Sequence, residues 1–423
     1  MNYRESLEFI HSRMKFGSRP GMERIEALCK AFDNPQDKLK FVHVAGTNGK
    51  GSTCNMISSI LTSAGYKTGL FTSPFIVDFR ERIQINGEMI VETELAEIMT
   101  RVKPVTEKLS EQGIEPTEFE IITVVAFLYF LENNCDIVVL EVGLGGKLDS
   151  TNIIKQSEVS VICSISMDHT DVLGDTLLKI ADQKCGIFKE NGKVVAYPQP
   201  DFSVERFIKE KAKEKNCEYF PSELSKIRLV KDELDGLTII YAGLSFKIPL
   251  TGKHQIYNFA TAISAVNVLK MNGWEISAKN MIDGIQSLKI PARVEIVSRS
   301  PLVIIDGGHN AEGIDALSDC LKKYCSDKKI IAVFGMMKDK DCAKAVETLA
   351  PLFSAVYTTT PSNPRSLSAK ELADKVKAYC KKVKAVDEPA KAYEKALKKA
   401  DENDVVLVCG SLYLASDIKN LQK

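Results

Sequence analysis

No stretch of this chain is apolar for long enough to cross a membrane. The longest run, 121–131, is interrupted by Thr123 and falls far short of the roughly 18 residues a spanning helix needs. The opening residues, MNYRESLEF, place charges where a secretion signal would be apolar. Neither sign of charge is in excess, because 56 Lys+Arg balance 56 Asp+Glu. That excludes a broad electrostatic grip on nucleic acid, which needs a basic footprint. Cysteine occurs eleven times, but without a CxxC pair or a Cys/His zinc spacing. An odd number without such pairs predicts reduced thiols, no disulfide framework and a cytoplasmic setting. Cys135, Cys163 and Cys409 lie in or beside apolar strands, where the thiol acts as a small hydrophobe. GxGxxG is missing too, so a dinucleotide-binding fold has little support, and no internal repeat stands out.

What is present is the composition of a globular protein. The 423 residues are 44% hydrophobic and 26% charged, which is too long for one ordinary core. Short β-branched runs, glycine-rich turns and amphipathic helices follow one another. Strands are predicted at 41–45, 136–142 and 159–166, with helices through residue 64, over 119–131 and from about 176. Near-continuous apolar strands alternating with helices predict a buried parallel sheet. Residues 227–249 read instead as an antiparallel meander turning at Ala242-Gly243, followed by a helix over 255–271. The segment SLKIPARVE (287–295) reads as a linker, after which the α/β rhythm restarts with strands at 302–305, 329–334, 355–358 and 405–409. The predicted architecture is α/β, with a boundary near 297. An N-terminal domain with a parallel sheet and a small antiparallel part (1–296) precedes a Rossmann-like α/β domain (297–423). Lysine-rich helices are predicted over 370–382 and 389–399, with the lysines on a solvated face and Pro389 at the first helical position.

The segment GTNGKGS (46–52) lies between a strand and a helix. Its glycines let backbone N–H groups converge on phosphate oxygens, Lys50 can reach terminal phosphates, and Ser52 can meet a magnesium ion. Gly51 stands between Lys50 and Ser52, a departure from GxxxxGK[ST]. A second glycine-rich turn, GLGG (143–146), follows Glu141-Val142, and a turn needing only positive φ explains it equally well. Ligands of open parallel sheets bind beyond the carboxyl ends of the strands. The phosphate loop, Glu141 and Asp168-His169 are therefore expected on one edge, with Asp306, His309 and Ser411 at the matching edge of the second sheet. Lys184 interrupts an apolar helical stripe of Leu177, Ile180, Ala181 and Ile187. It either snorkels to water or is buried and neutralised.

Seven segments then converge on one family. HVAGTNGKGS (43–52), LFTSPFIVDFRERIQING (70–87), EVGLGGKLDSTN (141–152), SMDHTDVLGDTLLKIADQKCGIFK (166–189), GKHQIYNFATAISAV (252–266), DGGHNAEG (306–313) and CGSLYLA (409–415) resemble the folylpolyglutamate synthase / dihydrofolate synthase branch of the Mur ligase superfamily. The resemblance runs over nearly the whole chain, in order. Lys147 stands where the branch usually has Arg, and Gln183 where it usually has Glu. The resemblance implies a ligase that uses ATP and Mg²⁺ to join L-glutamate to a folate, to dihydropteroate, or to both, through an acyl phosphate. Matched motif by motif, Thr47, Asn48, Gly49, Lys50, Gly51 and Ser52 would hold ATP phosphates, and Asn258, Arg293 and Asp306 the rest of the nucleotide. Ser73, Glu141 and His169 would be magnesium ligands. Lys50, Lys184 and His309 would be catalytic, with Lys184 carried as a carbamate. Phe75, Arg82, Asp149 and Ser411 would lie on the substrate side. A monovalent cation is a further implied cofactor. The implied partners are small molecules only, with no nucleic acid or membrane, and the implied state is a monomer. Two other readings are an amide ligase acting on a cell-wall precursor and a nonenzymatic nucleotide switch. The first is expected to need a further N-terminal domain, and the second leaves His309 and Lys184 unused.

Overall fold

The computed structural model describes residues 1–16 and 20–421. By contacts it divides into two units. The first comprises Met1–Phe75, Phe79–Ile227 and Tyr257–Leu288, and the second Ile76–Asp78, Arg228–Ile256 and Lys289–Lys423.

The first unit is built on one sheet. Its strands are β1 (Phe41–Ala45), β2 (Thr68–Phe71), β3 (Ile83–Ile85), β4 (Glu88–Met89), β5 (Ile137–Glu141), β6 (Val159–Ile162), β7 (Lys193–Ala196) and β8 (Glu218–Pro221). Their order is β4-β3-β2-β5-β1-β6-β7-β8. All neighbours from β2 to β8 are parallel, and β3 and β4 add an antiparallel edge. Every residue of β1 and β5 is buried, as parallel strands covered on both faces require. The helix Glu118–Glu132 is buried from Glu120 to Phe130 and begins with a Thr117/Glu120 capping box. A helix that is apolar on all sides has to lie inside the protein, and here Phe127 meets Phe41 edge-on at 5.7 Å. Because β1 lies between β5 and β6, the chain crosses over in opposite directions around it. Its carboxyl end is thus the switch point where ligands of open sheets bind.

In the second unit, β9 (Ile227–Glu233), β10 (Gly236–Tyr241) and β11 (Leu244–Ile248) form the expected meander. Ala242 and Gly243, with φ of 48° and 84°, make its tight turn. The main sheet holds β12 (Glu295–Arg299), β13 (Leu302–Ile305), β14 (Ile330–Phe334), β15 (Ala355–Thr358), β16 (Val383–Ala385) and β17 (Val405–Cys409), in the order β12-β13-β17-β14-β15-β16. Only β12 runs antiparallel to its neighbour.

The contacts divide the chain differently from a single boundary near 297. The meander groups with the second unit because its polar residues bond there. Asp232 accepts from Lys323 and Tyr324, Asp235 pairs with Arg299 at 2.8 Å, and Thr251 donates to Tyr324 Oη at 3.4 Å. Glu295 already belongs to β12, so the linker is shorter than the sequence suggests. The helix expected over 370–382 ends at Val376, because Val383 pairs with Val356 of β15 and opens a strand. The strand expected to reach 166 stops at Ile162, where the chain turns toward the phosphate loop. Lysines of the last helices pair at the surface with Asp374, Glu388 and Glu394, as a solvated face would. All eleven cysteines are free thiols. Among the described residues no helix is long and apolar enough to cross a membrane.

Candidate active site

The phosphate loop is tied to the exit of β6. Thr47 N–H donates to Ser164 O at 2.7 Å. Thr47 Oγ1 donates to Ser166 O and accepts from Ser166 N–H, both at 3.1 Å, while Asn48 Nδ2 reaches Ser166 Oγ at 3.3 Å. These two side chains therefore shape the loop from behind. Gly49 caps the helix Lys50–Ser63 with φ of 81°. A Cβ there would lie 2.3 Å from Asn258 Oδ1, so the position requires glycine both for its φ and for its space. The same approach brings Asn258 onto the loop. Lys50 folds back, its Nζ 3.1 Å from Gly46 O and 3.2 Å from Thr47 O. The first-turn N–H groups of the helix, which lack intrahelical partners, and its positive end form an anion-binding concavity. Ser52 is buried within that turn.

Glu141, at the end of β5, is buried. Its Oε2 accepts from Ser73 N–H at 3.2 Å and would lie 3.7 Å from a Cβ on Gly51. The structure thus brings Ser73, Glu141 and the phosphate loop together. His169 stands in the β6 exit loop with φ of 51°, capping the short helix Thr170–Leu173. Its side chain is 46% exposed and 3.9 Å from Asp168 Oδ1. Among the described residues no group of three or more His, Cys, Asp and Glu could hold a metal by itself. A donor set centred on one carboxylate and one hydroxyl beside a phosphate loop suits magnesium, which completes its shell with phosphate and water.

Lys184 does not snorkel. It is 3% exposed, and its Nζ donates to Gly46 O at 2.7 Å. Burial first, and then the Lys50 charge, lower its pKa from 10.5 to about 7, against the opposing pull of Asp168, Cys163 and Asp149. The GLGG turn holds it in place. Lys147 N–H donates to Gln183 O at 2.7 Å, and a Cβ on Gly146 would lie 2.6 Å from Gln183 O and 3.0 Å from Lys184 O. Only glycine permits so close an approach to the end of a helix. The clasp uses the backbone of Lys147, whose side chain is exposed, so the replacement of the usual Arg leaves it intact.

Asp149, expected on the substrate side, is bonded within the turn that follows β5. It is buried, and its oxygens accept from Leu144 N–H and Thr151 N–H, each at 2.9 Å, and from the Thr151 hydroxyl. Burial raises its pKa against these bonds. The carboxylate is short, and the turn closes around it. Thr151 Oγ1 also meets His43 Nε2 at 2.9 Å, and burial holds His43 far below the usual imidazole range. Lys189, lowered to about 8 by burial and Lys215, donates to Asn152, whose amide bonds Gly186 O and Lys147 O. Sequence reading missed His43 and Lys189, since a histidine within FVHVA and a lysine after an apolar stripe give no sign of their partners.

In the loop after β2, Arg82 stacks over Phe75 at 5.2 Å and over Phe79 at 5.7 Å, so Phe75 and Arg82 form one ordered cluster. In the second unit, β13 and β17 are parallel neighbours, which places Asp306 and Ser411 on one sheet edge. Asp306 accepts from Gly308 N–H at 2.8 Å and Val294 N–H at 3.0 Å. His309 Nδ1 lies 2.9 Å from Gly307 O. Ser411 is buried and caps the helix Leu412–Asn420 through Tyr413 N–H at 3.1 Å. Half-buried His254 was also missed. Burial lowers its pKa, with Asp306, Arg293 and Glu312 acting on it. The GKHQ segment, which opens the helix Lys253–Met271, was its one signal.

Two family models match the chain: the Mur ligase middle domain over residues 44–266 and the Mur ligase glutamate ligase domain over 292–412. The dihydrofolate synthase/folylpolyglutamate synthase of Bacillus subtilis is 36% identical, over 100% of this chain and 99% of its own. The folylpolyglutamate synthase of Lacticaseibacillus casei is 35% identical, over 99% and 98%. Among solved structures, Escherichia coli FolC in complex with DHPP and ADP superposes with a TM-score of 0.87 at 31% identity, over 100% and 98% of the two chains. Mycobacterium tuberculosis folylpolyglutamate synthase complexed with ADP and AMPPCP gives 0.87 at 26%, over 99% of each.

Proposed function

This chain belongs to the Mur ligase family, in its folylpolyglutamate/dihydrofolate synthase branch, and we propose how its residues share the work of joining L-glutamate to a folate-type carboxylate. The enzyme is an ATP-dependent acid–amino-acid ligase. A carboxylate is a poor electrophile, so the γ-phosphoryl group of ATP is transferred to it. The glutamate amine then attacks the acyl carbon, and phosphate departs. The chain's task is to align these groups and offset negative charge.

In this reading Gly49, Lys50, Gly51 and Ser52 hold the triphosphate, with Lys50 leaving its loop carbonyls for phosphate oxygens. Asn258, Arg293 and Asp306 meet the rest of the nucleotide. Ser73, Glu141 and His169 would hold Mg²⁺, which when bound neutralises phosphate charge. Phe75 and Arg82 offer an aromatic and cationic face to the folate. His309 and Ser411 serve the glutamate side. Asp149 acts at one remove, by fixing the turn that clasps Lys184. The neutral Lys184 amine is the form that adds to CO₂. Its nitrogen bonds the carbon and a proton is released, leaving a carbamate anion to face the metal site. The protein works in the cytoplasm as a monomer.

The observation that carries this reading is the convergence of the phosphate loop, Glu141 and buried Lys184 at the carboxyl edge of one sheet. The test is ATP hydrolysis measured with L-glutamate and, in parallel, dihydropteroate or tetrahydrofolate. Hydrolysis should require both glutamate and an acceptor, and the two acceptor arms decide which carboxylate is used. Hydrolysis indifferent to both would favour a nucleotide switch instead. For Lys184, ¹³C-bicarbonate should give a carbamate resonance that Lys184→Ala lacks.

A further inference from the structure

Arg293 sits in a backbone turn that ordinary residues avoid. Ala292 and Val294, on either side of it, have φ of 53° and 49°. Left-handed backbone is uncommon for any residue with a side chain, and for β-branched valine it is an outlier. Both residues are buried, at 0% and 9% exposure. Such strain persists only where the surroundings over-determine the conformation. Here they do so through four contacts. Gly307 N–H donates to Ala292 O at 3.0 Å, and Val294 N–H donates to Asp306 Oδ2 at 3.0 Å. Ala292 N–H donates to Glu295 Oε2 at 2.8 Å. The other oxygen of Glu295 is held by Lys419 Nζ at 2.5 Å. That lysine lies on the helix Leu412–Asn420, far along the sequence. The pair is partly buried, at 27% and 18% exposure, so it escapes much of the screening that weakens surface ion pairs. Asp306 is already a candidate site residue. Glu295 and Lys419 have had no role.

We propose that Glu295 and Lys419 form a latch that holds the strained 292–294 turn and so positions Arg293 for the nucleotide. The pair touches no substrate, so both are positioning residues. Lys419 fixes the Glu295 carboxylate, and the carboxylate fixes the Ala292 amide. The role given to the latch rests on the reading of Arg293 as a nucleotide contact.

Two measurements on the full-length enzyme test it. Lys419→Ala should raise the KM for ATP about tenfold, the scale of one lost charge-assisted hydrogen bond, with kcat and the KM for glutamate nearly unchanged. Amide hydrogen exchange at Ala292 and Val294 should speed up in the same variant. Lys419→Arg should restore both, and Lys419→Ala should add nothing to an Arg293→Ala background. Normal protection of both amides in Lys419→Ala would overturn the latch, as would a general loss of stability that raises every KM alike. If Arg293→Ala leaves the KM for ATP unchanged, the nucleotide reading of Arg293 fails, and amide exchange alone then decides whether the latch exists.

Discussion

At the scale of single residues, Lys184 gives the most direct test. Its folded pKa is about 7 against an ordinary 10.5. Between those values the unfolded chain carries a proton that the folded chain lacks. Stability therefore rises with pH across this window, and below it the cost of the buried ammonium is fully present. Relative to Lys184→Met, the unmodified enzyme should gain up to about 1.4 kcal/mol per pH unit. Urea unfolding of both proteins in CO₂-free buffer at about pH 7 and about pH 9 reads the difference, and a flat difference would mean a paired ammonium. Asp149 offers a second test. In Asp149→Asn an amide group replaces one acceptor opposite the Leu144 and Thr151 donors. The expected loss is about 1–3 kcal/mol of stability, the range for an unsatisfied buried group, together with lower ligation as the turn loosens. Stability equal to wild type would return Asp149 to the substrate side.

At the scale of elements, the phosphate loop, the strands around it and the meander turn were legible because each carries a local signal. Gly49 needs a left-handed φ, and β1 and β5 are apolar at nearly every position. The elements that were missed lack such signals. β2 (TGLF), β7 and β8 are short and partly polar, and β12 begins inside a segment that reads as linker. The turn–helix clasp around Lys184 is likewise invisible locally, since it joins GLGG to residues near 184. It yields a prediction for Gly146→Ala, whose Cβ would meet backbone at 2.6 Å and 3.0 Å. Backbone cannot swing aside as a side chain can. The variant should therefore fold with a loss of about 1–3 kcal/mol, the usual cost of overpacking, and lose most activity because the end of the Lys184 helix moves. A crystal structure with Lys184 Nζ still on Gly46 O, and normal turnover, would refute this.

At the scale of the whole molecule, family membership covers both units, and relatives align along their full length. The fold has two mainly parallel sheets and a small antiparallel one, and each of the larger two carries candidate polar residues at its carboxyl edge. Sedimentation of the purified chain should give the mass of one copy. A stable dimer would contradict the monomer reading without touching the chemistry.

By itself, the sequence determined the α/β class, the phosphate loop, the ligase family and the residue types the chemistry needs, because glycine placement, strand hydrophobicity and ordered motifs are local properties. Whether Lys184 is buried or solvated, that Asp149 turns inward, and that Lys419 reaches Glu295 were decided only by tertiary structure. Each depends on desolvation or on a hydrogen bond between residues distant in the chain, and such pairings exist only once the chain has closed around them.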